Sequence, residues 1–173
     1  MGQAEVEMGP KSKIDFSKVV PASHITGEDE RETVELKAML QEASTYLKSF
    51  KWCKDIKAAY MGIGIGGVVG VFLFRIRPAR PEVDEMVWVI VGDLPPAYIT
   101  VDNAPNPACA LDAYIGAMEE WVSTAKAGKS VEDIIPVNVP PTRENAEQLE
   151  SRLRFLDREI LVHHKDDLRK WAV

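Results

Sequence analysis

The chain has 173 residues, 46% of them hydrophobic and 28% charged. That is enough for one compact domain burying roughly 70% of its unfolded surface, and it excludes a disordered or fibrous protein. Twenty-one Lys and Arg against twenty-seven Asp and Glu leave a formal charge of −6, which argues against a nucleic-acid backbone binder.

Two cysteines, Cys53 and Cys109, share no metal-ligand spacing, so neither a disulfide framework nor a cysteine zinc site is expected. Residues 1–10 carry Glu5 and Glu7 where a secretory signal needs positive charge, and Val6 stands where a myristoylation motif needs Ser or Thr. A cytoplasmic location with no membrane association is the expectation.

Residues 1–25 show no sustained period and read as a poorly ordered arm, leaving 26–173 as a single α+β domain. Thr26-Gly27-Glu28-Asp29 resembles a capping box, and Leu36, Leu40, Ala43, Leu47 and Phe50 make one apolar stripe on a helix over about 28–50. That stripe should cover a sheet face.

The uncharged run from Ala58 to Phe74 has three readings. As a membrane helix it spans only about 25 Å at 1.5 Å per residue, and it is rich in glycine. As a dinucleotide fingerprint, Gly62-x-Gly64-x-x-Gly67 needs a helix to follow, whereas Val68 to Phe74 is β-branched and aromatic. The third reading, a β-hairpin turning at Gly66-Gly67, pairs Met61 with Phe72 and Ala59 with Phe74 on one face. The opposite face then carries Tyr60, Gly62 and Gly64 as a shallow trough, open to a packed helix or a ligand.

Arg75 to Glu85 reads as a solvent loop, Met86 to Val91 as a central strand and Ala97 to Val101 as a shorter one after Pro95-Pro96. Short links make the four strands an antiparallel meander. Asn106-Pro107 opens a helix to about Lys126 with the stripe Leu111, Ile115, Met118, Val122, and Gly128 stops it. Thr142 caps a third long helix with the stripe Ala146, Leu149, Leu153, Leu156, Ile160. The predicted architecture is therefore α+β: an N-terminal helix, a four-stranded antiparallel meander sheet, and two long C-terminal helices packed on that sheet.

No catalytic motif appears: there is no G-x-S-x-G elbow, Walker, EF-hand or H-E-x-x-H pattern. Glu159, His163 and Asp166 or Asp167 share a helical face, but His163 and His164 point about 100° apart and read as an ordinary polar face. Asp93 and Asp102 fall roughly 20–30 Å apart along a hairpin, too far for an acid/base pair. Cys53 has no histidine placed beside it by sequence and reads as a buried thiol. No metal or cofactor is implied.

Residues 102–141 carry two basic and six acidic groups, so the positive-charge deficit concentrates there. This suggests a non-enzymatic module engaging a basic protein through Asp102, Asp112, Glu119, Glu120 and Asp133, similar to small inhibitors or immunity proteins in charge and size only. Trp171, near the C-terminus, is a candidate anchor for that partner or for a second copy in a homodimer. The alternative is a small-molecule binder or enzyme using the trough at Tyr60, Gly62 and Gly64 with the loop residues Asp93 and Tyr98.

Overall fold

The computed structural model describes residues 14–172, with side chains for residues 14–168. Its sheet is antiparallel and has five strands in sequential order, β1 to β5. These are β1 (Val20–Pro21), β2 (Cys53–Ile65), β3 (Val69–Pro78), β4 (Met86–Gly92) and β5 (Ala97–Thr100). The helices are α1 (Glu30–Lys48), α2 (Pro107–Lys126), α3 (Arg143–Phe155) and the short α4 (Lys165–Ala172). No helix among the described residues is long and apolar enough to cross a membrane.

The meander is the one that the sequence predicts, with one strand added. Val20 pairs with Met61 and Pro21 with Tyr60, so the stretch before α1 lays a two-residue edge strand on β2. Val19 and Ile25 are buried on either side of it. Residues 1–13 of the predicted arm lie outside the described residues.

Helix α1 begins later than predicted. Asp29, not Thr26, is the N-cap, its carboxylate accepting from the Glu32 N–H at 2.8 Å. Glu30 and Glu32 follow in the first turn, where acidic side chains suit the positive end of the helix dipole. The buried stripe is Leu36, Met39, Ala43 and Leu47, at helical spacing. It lies on Met61, Phe72, Phe74, Val87, Val89 and Val91, making one of two hydrophobic clusters. Each large side chain buried there contributes about 1.5–3 kcal/mol.

The other sheet face presents Val69, Val71, Leu73, Trp88 and Ile90 to α2, whose Leu111, Ile115, Met118 and Val122 are all buried. Strand β4 is therefore covered on both faces, which explains its continuous apolar sequence. Asn106 caps α2 by accepting from the Cys109 N–H at 2.9 Å, with Pro107 at the first helical position, and Gly128 at φ 73° follows the last turn. The predicted packing of two long helices on the sheet needs adjusting, since α3 packs chiefly on α2.

A π turn, Leu156–Ile160, and a 3-10 turn, Leu161–His164, follow α3 and lead into α4. The irregular turns shift the helical phase so that Leu156, Ile160, Leu161 and Asp167 are all buried.

The hairpin register departs from prediction at its tip. The loop takes three residues, Gly66 to Val68, with the Val68 N–H donating to the Ile65 carbonyl at 2.9 Å and Gly67 at φ 75°. Gly66 is not in positive φ, so the turn is not the primed type that both glycines suggested. Ile65 thus pairs with Val69, and an irregularity between Met61 and Gly64 absorbs the extra residue. Below it Met61–Phe72 and Ala59–Phe74 pair as predicted, with Tyr60–Leu73 between them. Strand β3 also runs on to Pro78 through the segment expected to be loop, because Ile76 is buried between exposed Arg75 and Arg77.

Candidate functional site

The bulge rearranges the predicted glycine trough. A Cβ on Gly62 would lie 2.3 Å from the Pro107 Cγ, so Gly62 faces α2 and the first residue of that helix fills its space. A Cβ on Gly64 would lie 2.4 Å from the Met61 Sδ and 3.0 Å from the Leu36 Cδ2, so Gly64 faces α1. The two glycines therefore serve opposite faces, and neither leaves an open groove. Tyr60 is half-buried against the α2 cluster, with the Phe16 ring edge-on at 5.5 Å. The close approach of backbone to helix is what the glycines permit here.

The remaining predicted residues separate onto three surfaces. Asp93 lies in the β4–β5 turn, where it pairs with Arg152 of α3 at 3.3 Å. Asp112, Glu119 and Glu120 share the solvent face of α2, with Asp102 exposed before that helix and Asp133 exposed after it. Within α2, Asp112 and Glu120 lie about 12 Å apart at 1.5 Å per residue, and Asp102 and Asp133 sit on the loops beyond its two ends, so the acids are strung along the helix. Cations border that line: Lys126 pairs with Glu150 at 2.9 Å, and Arg158 and Lys165 share a surface hollow with Asp112. The Trp171 backbone belongs to α4, and its side chain lies outside the described residues.

Tyr98 stands apart from these and marks the most distinctive surface. Strand β5 is the outer strand opposite β1, and Tyr98 and Thr100 face the α1 side through their pairing with Val89 and Val87. Helix α1 ends at Lys48, and the chain after it brings Phe50 and Trp52 back over this face. The Phe50 and Trp52 rings stack with centroids 5.0 Å apart and planes at 21°. Tyr98 meets Trp52 edge-on at 5.0 Å and Phe50 at 5.2 Å, while Tyr46 meets Phe50 at 5.1 Å. Burial pushes the Tyr46 phenol up to about 12, so it stays protonated at the base of the cluster.

Beside these rings is an open pocket of about 260 Å³ lined by Trp52, Tyr98, Thr100, Val83, Met86 and Val87, with Arg80, Glu82 and Asp84 at its rim. The β3–β4 loop carrying the rim is tied back to Trp52, whose carbonyl accepts from the Ala79 N–H at 2.9 Å. Arg80 and Glu82 pair at 3.2 Å, both well exposed. Asp84 makes no ion pair among the described residues. Of the pocket's residues, Tyr98 is among those expected at a ligand site, whereas Glu82 and Asp84 carry no sequence signal. Trp52 follows Phe50, the last residue of the predicted apolar stripe, and no spacing links either ring to the β3–β4 loop or to β5.

Among the described residues no group of three or more His, Cys, Asp or Glu could hold a metal ion. His164 is held below the ordinary imidazole value, chiefly by burial, and Asp167 is occupied by Lys18 at 3.0 Å. Both cysteines are buried free thiols; burial raises Cys53 and pushes Cys109 up to about 11, which leaves little thiolate at neutral pH. Compared with protein-family models, curated proteins and solved structures, the chain matches none.

Proposed function

We propose that this chain is a protein-recognition module without chemistry of its own that engages a basic partner. The observation that carries this reading is the half-open cluster of Trp52, Phe50 and Tyr98 beside a carboxylate-bearing rim, in a chain of net charge −6. Tyr98 is 37% exposed, and large aromatics on a rigid sheet are the usual anchors of an interface. The line of acids on α2 would act at longer range, raising the capture rate of a cationic partner without needing contact. Asp102 is exposed two residues after Thr100, which lines the pocket.

Two buried free thiols suit a reducing compartment, and the cytoplasm is the proposed location. The test is titration of the intact protein with lysine- and arginine-rich peptides and with acidic peptides of equal length, read by fluorescence anisotropy at low and high salt. Binding confined to the basic set, slowed by Glu119→Lys with Glu120→Lys and weakened by salt, supports the reading. Equal binding of both sets, or of neither, contradicts it.

A further inference from the structure

We propose that the pocket between Trp52 and Tyr98 seats one cationic side chain, a guanidinium or an ammonium, as the anchor of the basic partner; this rests on the reading above. Trp52 has one ring face against Phe50, 5.0 Å away, and still lines the pocket, so an indole surface remains available to a ligand. Tyr98 supplies a second ring at 5.0 Å from the first. Aromatic faces carry negative quadrupole charge and attract a cation placed over them.

The rim carries the same preference. Its one cation among the described residues, Arg80, is paired with Glu82 at 3.2 Å, which leaves the Asp84 carboxylate as the uncompensated charge. Lys51 and Lys54 flank Trp52 in sequence and do not line the pocket. An anion would therefore meet a negative rim, and a purely apolar ligand would leave Asp84 facing it unpaired. At about 260 Å³ the space falls below the range of cofactor-sized sites and suits the end of one side chain. The Ala79 to Trp52 hydrogen bond, and the Val83 N–H donating to the Arg80 carbonyl at 3.1 Å, hold rim and wall together before anything binds.

The test is an NMR titration of the intact isotope-labelled protein with ethylguanidinium and with ethylurea, its neutral counterpart of similar shape. Ethylguanidinium should move the Trp52 indole N–H, assigned with Trp52→Phe, and the Val83 and Asp84 amides in one saturable curve. Ethylurea should move none of them at the same concentration. Asp84→Asn, a change in an exposed loop, should weaken ethylguanidinium by about two- to five-fold, as for an exposed ion pair. Equal shifts from ethylurea, or shifts scattered over the acids of α2, overturn the proposal. If basic peptides bind while the Trp52 signals stay still, this anchor is wrong and the broader reading stands. If neither peptide nor ethylguanidinium binds, both fall.

Discussion

Glu32 joins α1 to the tip of the β2–β3 hairpin by accepting a hydrogen bond from the Gly66 N–H at 3.0 Å. Its other oxygen accepts from the Glu28 N–H at 2.7 Å, so one carboxylate ties a helix start to a turn 34 residues further along the chain. These bonds from Glu28 and Gly66 hold the Glu32 carboxyl below its ordinary 4.5. A carboxyl whose folded value is depressed contributes stability that is present above the unfolded value and lost as pH falls through the folded one. Glu32→Gln should therefore lower Tm near neutral pH, and the gap to the parent should close as pH drops below about 4.5. A gap constant from pH 7 to pH 3 would contradict this.

Two glycines in different surroundings predict opposite outcomes. Gly62→Ala drives a methyl into the Pro107 ring, 2.3 Å away, and should destabilise by about 1–3 kcal/mol in denaturant unfolding. Gly116 lies within α2, and a methyl group added there would meet nothing within 4 Å, so Gly116→Ala should stabilise by about 0.5–1 kcal/mol through helix propensity. A neutral Gly62→Ala would mean that α2 does not sit on β2.

Asp167 is buried, and Lys18 reaches it at 3.0 Å from the segment that carries β1. Lys18→Met removes the counter-charge, so the edge strand and α4 should loosen together. Hydrogen exchange should speed up at Val19 to Ile25 and in α4, with the amides of β3 and β4 unchanged. Exchange confined to one of the two segments would separate them.

Both thiols should be silent in the native protein. Burial holds Cys109 at about 11 and raises Cys53, so a disulfide thiol reagent at pH 8 should react with neither over minutes and with both after unfolding in guanidinium. One fast native thiol would return Cys53 or Cys109 to consideration as a reactive group.

Much of the architecture is readable because local signals agree with the tertiary outcome. Asn106-Pro107 and Gly128 bound α2 where expected, and the all-apolar Met86 to Val91 run is the strand covered on both faces. What sequence reasoning misses depends on single-residue insertions and long-range company. The extra loop residue at Val68 and its compensating bulge move Gly62 and Gly64 to opposite faces, and glycines carry no side-chain period to reveal this. Arg75-Ile76-Arg77 reads as loop from its charge, although alternation about Ile76 is a strand pattern. The aromatic pocket joins residues from the end of α1, the β3–β4 loop and β5, and no sequence spacing links those three.

Recognition of a basic protein is tested by native mass spectrometry of the untagged protein isolated from its own cells. A stoichiometric complex with a protein of high isoelectric point is expected, dissociating as ionic strength rises and lost in Trp52→Ala combined with Asp84→Asn. A tightly held small molecule, or an acidic protein partner whose complex survives high salt, would contradict it.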